Sequence, residues 1–166
     1  MHIQKLTFTA LFIAIGVLSA HLVYIPVVVA KCFPVQHAIN ILISVFLGTR
    51  YSVSAGFGIS LLRNVLGTGS LLAFPGSVVG AALSGMVYHR TNSLFGAILG
   101  EVVGTGLIGG LFAYPVAKYL LGTEVGIFFF VIPFLVSTLG GSLIAYLIYL
   151  TPIKSFVQTK FNARRN

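Results

Sequence analysis

The chain has 166 residues, of which 57% are hydrophobic and 7% charged; a water-facing fold carries roughly a quarter charged residues, so a soluble globular domain is excluded and lipid is the expected solvent. Ten Lys and Arg stand against two acids, Glu101 and Glu124, yet they form no basic face outside the tail from Lys154 to Arg165, and nucleic acid is not the expected partner. The single cysteine, Cys32, excludes an internal disulfide and a cysteine-based zinc cluster.

The first element is the apolar run Leu6 to Val29, long enough for the roughly 20 residues a bilayer core needs. His2 and Lys5 precede it without a signal-peptide cleavage pattern, so it reads as a first membrane helix, with Ala10 and Ala14 as a small-residue pair. A polar cluster, Lys31 to His37, leads into a second run ending near Leu47. Gly48-Thr49-Arg50 turns the chain into a third segment, Tyr51 to Leu66, and Gly67 to Ser70 is a loop signal. Ala73 to Tyr88 is the fourth segment. His89 to Asn92 separates it from the fifth, Leu94 to Leu121, and Gly122 to Glu124 makes the next turn. The sixth runs from Val125 to Leu150, with a kink expected at Pro133 and a stop at Pro152. The expectation is an all-α integral membrane protein. Residues 1–152 form a domain of six transmembrane helices, and 153–166 form a basic cytoplasmic tail. The second to fourth helices are short for a full span, which places their ends inside the protein and hints at a pocket.

Six spans bring both termini to one side. That side collects Lys5, Arg50, Arg90, Lys154, Lys160, Arg164 and Arg165, against Lys31, Arg63 and Lys118 on the other. The positive-inside rule then places both termini in the cytoplasm and the chain in the cell membrane as a multi-pass protein. The glycines at 96, 100 and 104, and at 106 and 110, permit close helix approach, most simply within the chain.

Ionisable side chains within membrane segments are costly and mark function by default. Counted from the cytoplasmic turns at about 1.5 Å per residue, Asn40 lies roughly 15 Å deep, His37 and Arg63 roughly 20 Å, and Glu101 about 16 Å. Three helices thus bring His37, Asn40, Arg63 and Glu101 to one slab, with Gln36 and Asn64 beside them. Arg63 and Glu101 either form a structural ion pair or serve a ligand. Tyr114 offers a hydroxyl or an aromatic wall. No nucleophile–base–orienter set exists, so no catalytic residue is assigned. The histidines are too scattered for a metal. No phosphate-binding loop occurs, so any ATPase must be another chain. Besides a binding subunit, a channel or facilitator, an intramembrane enzyme and a structural subunit stay open.

Three segments carry a resemblance. Lys31-Cys32-Phe33-Pro34-Val35-Gln36-His37-Ala38-Ile39-Asn40, Arg63-Asn64-Val65-Leu66-Gly67-Thr68-Gly69-Ser70-Leu71-Leu72-Ala73-Phe74-Pro75-Gly76-Ser77 and Gly100-Glu101-Val102-Val103-Gly104-Thr105-Gly106 resemble those of the ThiW family over residues 6 to 150. That family comprises thiazole-specific S components of energy-coupling factor (ECF) transporters. The resemblance implies an S-component-like six-helix bundle, without cofactor, that holds hydroxyethylthiazole for thiamin salvage, or another vitamin-related cargo, near the outer face. It implies docking on a transmembrane coupling protein and two ATPases through Ala10 and Ala14. Asn40, Asn64 and Glu101 are then expected to hydrogen-bond the cargo, with His37 near the mouth and Arg63 holding Glu101 ionised. Phe33, Gln36, Phe74 and Tyr114 are candidates for wall or lid, and the lid itself is the loop from Val29 to Gln36.

Overall fold

The structure is a computed structural model that describes residues 2–27 and 30–152. The basic tail from residue 153 and the part of the expected lid at Val29 lie outside the described residues. Six helices make up most of the fold. They are α1 (His2–Ser19), α2 (Pro34–Phe46), α3 (Thr49–Val65), α4 (Ala73–Thr91), α5 (Leu94–Leu120) and α6 (Val131–Tyr149). Of these, α5 and α6 are long and apolar enough to cross a membrane, while Ile3–Ser19 and Pro34–Phe46 are apolar but shorter.

Three expectations change. The first helix stops at Ser19 rather than Val29, and the chain is not purely helical. Ile25–Val27 (β1) pairs antiparallel with Ala30–Cys32 (β2), in the register Ile25↔Cys32, Pro26↔Lys31 and Val27↔Ala30. The physical reason is local. Pro26 cannot donate the helical hydrogen bond, and the β-branched run around it suits a strand. The sixth helix begins at Val131, six residues later than expected, after a turn in which Phe129 N donates to the Gly126 carbonyl and Val131 N to that of Phe128. Pro133 therefore falls in the first helical turn, where its missing N–H has no intrahelical partner to lose.

The turns between helices use residues suited to them. Gly48, with φ 98°, separates α2 from α3, and Asn92, with φ 50°, closes α4 in the left-handed conformation that asparagine tolerates. The Ser93 hydroxyl then caps α5 by accepting from Gly96 N.

α2 is the central helix, buried along nearly all of its length. On one side Ile39 and Ile43 pack with Val17 of α1 and with Ala55 and Ile59 of α3. On the other, Ala38, Leu42 and Val45 meet Ala97 of α5 and Ala145 of α6. In lipid, apolar burial does not itself drive helices together, and close backbone approach must do so. α4 shows how. Its buried stripe Gly76, Ser77, Gly80, Ala81, Ser84 and Gly85 has no bulk. A Cβ at Gly100 would meet the Leu83 carbonyl at 2.6 Å, and one at Gly104 would meet Gly80 Cα at 2.7 Å. The glycine stripe of the fifth segment is thus spent on packing within the chain. α5 also widens into π-helical turns over Val102–Gly109 and Val116–Leu120. The first begins directly after Glu101; π-turns of this kind gather at functional positions.

Candidate functional site

The helices alternate in direction, so the amino-terminal ends of α2, α4 and α6 meet the carboxyl-terminal end of α3. A cavity of about 350 Å³ opens at that end. It lies opposite the start of α1, where Lys5 sits over the Tyr51 ring of α3. Phe33, Phe130, Pro133 and Phe134 supply apolar wall. Gln36, His37, Arg63, Ser77 and Ser137 supply polar groups, and Lys31 and Cys32 of β2 contribute to the rim. A mostly apolar recess with a few placed polar groups is the usual form of a small-molecule site, and its volume falls in the usual range.

The hairpin is tied to α6 across this opening. The Cys32 thiol donates to the Pro133 carbonyl at 3.1 Å, and Phe33 N donates to Ser137 Oγ at 2.9 Å.

Behind the cavity a polar network runs through four helices. Glu101 of α5 is fully buried. Its Oε1 takes His37 Nδ1 at 2.9 Å, Asn40 Nδ2 at 3.0 Å and the Thr105 hydroxyl at 3.0 Å. A carboxylate only accepts, so His37 carries its proton on Nδ1 in this pair. Nε2 is then the remaining nitrogen of a side chain that lines the cavity. Asn40 Nδ2 also faces the Ser77 carbonyl at 3.3 Å. Ser77 and Ser60 hydroxyls are 2.8 Å apart, and Ser60 Oγ accepts from Gln36 Nε2 at 3.0 Å. Gln36 Oε1 accepts in turn from Arg63 Nη1 at 2.7 Å. Ser52 Oγ donates to the Asn40 carbonyl at 2.7 Å and secures α2 to α3 beneath.

Of the expected site residues, His37 and Asn40 both meet Glu101 directly. One expected role is corrected. Arg63 does not hold Glu101; among the described residues the side chain paired with that carboxylate is His37. Arg63 lies on the far side of Gln36, donates Nη2 to the Thr68 carbonyl at 3.0 Å, and stacks its guanidinium 3.6 Å from the Phe33 ring centroid. The helical rotation that separates α2's His37 from its Gln36 directs the two toward different partners.

Other candidates are placed as follows. Phe33, Gln36, His37 and Arg63 line the cavity, whereas Asn40 and Glu101 stand one layer behind it. Asn64 donates to the Ser60 and Ser70 carbonyls at 2.8 and 3.0 Å and so braces the loop after α3. Phe74 packs its ring 5.6 Å from that of Phe57, and Tyr114 receives a hydrogen bond from Lys118 at 3.4 Å; none of these three lines the cavity. Ala10 and Ala14 are exposed on the outer face of α1. Three network residues escaped the sequence reading in this role: Ser60, Ser77 and Thr105. Thr105 was the most legible, being one helical turn beyond Glu101 on the same face. Among the described residues no group of three His, Cys, Asp or Glu gathers to hold a metal.

Comparison with known proteins agrees with this architecture. The family model for the thiamine-precursor transporter protein (ThiW) matches residues 6–155, leaving only the two ends of the chain outside it. No curated protein and no solved structure matches.

Proposed function

We propose, from the premise that this chain belongs to the ThiW family of thiamine-precursor transporters, that it is the S component of an ECF transporter and captures hydroxyethylthiazole. The observation that carries the reading is the cavity itself. It is open at one end of the bundle, walled by aromatic rings and backed by the buried His37–Glu101 pair. A small aromatic cargo with a ring nitrogen and a hydroxyl suits such a wall, with His37 Nε2 and the Gln36 amide as polar partners. Beneath it, α2 packs through apolar clusters against α1, α3, α5 and α6, which supports a binding subunit over a channel.

In this reading all six helices lie in the cell membrane and the cavity faces outward. α1 begins and α6 ends at the opposite end, on the cytoplasmic side, where the excess of Lys and Arg lies. The chain has no nucleotide-binding loop, so the driving ATPases and the coupling protein are separate subunits.

The deciding measurement is thermal unfolding of the purified protein against thiamin precursors. Ligand at 100 times its Kd stabilises by about 2.7 kcal/mol. Hydroxyethylthiazole is expected to raise the unfolding temperature and thiamin to leave it unchanged. A flat response to hydroxyethylthiazole would remove it as cargo.

Coupling is tested separately. Ala10 and Ala14 lie one turn apart on an exposed face of α1 beside Leu6 and Leu11, as a small-residue docking strip for another membrane helix requires. Ala10→Trp and Ala14→Trp are expected to abolish co-purification with the coupling subunit while cargo binding stays within about twofold, less than 0.5 kcal/mol. Intact complex in both variants would assign docking to another face.

A further inference from the structure

We propose that the cavity contains an anion subsite at Arg63, so that the favoured cargo is a thiazole bearing a carboxylate or phosphate in place of the neutral alcohol. The proposal rests on the cargo reading above only for the thiazole half. Arg63 is 2% exposed and lines the cavity, yet it has no anionic partner. The chain has two acids in all; Glu101 is engaged by His37, and Glu124 is exposed on the turn after α5. The two acceptors that Arg63 does meet, Gln36 Oε1 and the Thr68 carbonyl, are neutral. They occupy one N–H on each terminal nitrogen, and Nε is buried without a partner. A guanidinium has five N–H donors, so three stay unused.

Buried charges in proteins are normally paired. Here the chain supplies no countercharge, and the charge lies against an empty recess. The surroundings add to the positive potential. Lys31 stands on the rim, and α2, α4 and α6 all begin at the cavity wall. Helix amino termini carry partial positive charge and attract anions. No carboxylate reaches the wall to balance them, because Glu101 is sealed behind it. Such a recess is expected to reject a cation, including thiamin with its quaternary ring nitrogen. The planar guanidinium, with its central carbon 3.6 Å from the Phe33 ring centroid, has the shape that carboxylate and phosphate oxygens match.

The test is equilibrium binding to the purified chain in detergent. Three probes are compared: hydroxyethylthiazole, its phosphate ester, and the thiazole carrying a carboxylate at the same position. The two anionic probes are expected to bind at least about tenfold tighter than the alcohol, a difference of about 1.4 kcal/mol. Arg63→Gln should erase that preference, read as the ratio of anionic-probe to alcohol affinity, while Arg63→Lys should retain part of it. An alcohol that binds unaltered protein as tightly as either anionic probe would overturn the proposal, and this outcome needs no variant. Inorganic phosphate alone distinguishes the source of the anion. If it tightens alcohol binding in an Arg63-dependent way, the anion is a free one bound beside the cargo. If no thiazole binds but phosphate raises the unfolding temperature only when Arg63 is present, the subsite stands and the thiazole reading falls. If phosphate has no effect and the anionic probes show no advantage, the subsite is refuted.

Discussion

Glu101→Ala is expected to destabilise the fold by about 1–3 kcal/mol for each buried donor that loses its acceptor. Three donors converge on one carboxylate oxygen, from α2 and from the next turn of α5. Alanine takes the acceptor away from His37 Nδ1 and from one Asn40 Nδ2 hydrogen, while the Thr105 hydroxyl keeps the Gly76 carbonyl. Glu101→Gln separates charge from shape. Oε2 is buried and has no partner, so the glutamine amide nitrogen can take that place while its oxygen keeps the three donors. Unfolding should then shift by far less than in the alanine variant. Cargo affinity should nonetheless fall about tenfold or more, 1.4 kcal/mol upward. The neutral amide oxygen accepts from His37 Nδ1 more weakly than the carboxylate does, so the tautomer that leaves Nε2 an acceptor is held less firmly. Titration with hydroxyethylthiazole and thermal unfolding of both variants check this. Unchanged affinity in Glu101→Gln would mean that the pair is purely structural.

Gly80→Ala is the second large effect. A Cβ at Gly80 would strike the Thr105 hydroxyl and lie 3.0 Å from Glu101 Oε1. These atoms belong to a network fixed from four helices and have nowhere to retreat, since Gly104 brings its backbone against the same spot. Overpacking of this kind costs about 1–3 kcal/mol. The displaced Thr105 also loses its place between Glu101 Oε1 and the Gly76 carbonyl, each 3.0 Å away. Lower thermal stability and weakened cargo binding are expected together. Ala81, the adjacent fully buried position, sets a contrast: Ala81→Gly opens space without touching the carboxylate, and binding should survive it. A Gly80→Ala protein that unfolds and binds like the original would show that α4 and α5 can part without cost.

The sequence pattern made much of this legible. Apolar runs located every helix because lipid demands continuous hydrophobicity, and the boundary glycines and Asn92 fell where the chain turns. The two misplaced boundaries share a cause. Around Pro26 and before Val131 the chain stays apolar while its backbone leaves the helix, and hydropathy does not record hydrogen-bond geometry. Depth counting grouped His37, Asn40 and Glu101 correctly because rise per residue is fixed by the helix. Rotation is not fixed in that way, and Arg63 at the same depth turned to Gln36 instead of Glu101. Ser60 and Ser77 were hidden for another reason. Serine and threonine in helices ordinarily return their hydroxyls to the carbonyl one turn back, as Ser54, Thr9 and Ser142 do here. Nothing in the sequence separates those from a Ser60–Ser77 pair that bridges two helices.

The hairpin at the mouth bears on time rather than on affinity. Among the described residues the polar ties that hold it to α6 include the Cys32 thiol on the Pro133 carbonyl and, just after it, Phe33 N on Ser137 Oγ. Each such bond is worth about 1 kcal/mol net, and the thiol is the weaker donor. Ties of that size break and re-form readily, so the hairpin sets only a low kinetic barrier to entry. On the proposed function, the dwell time of a captured molecule is then expected to follow its own contacts with Phe33, Phe134 and the polar wall. Escape slows when cargo fills the recess and quickens when it does not. The same surface that selects the cargo therefore also acts as the clock for its release.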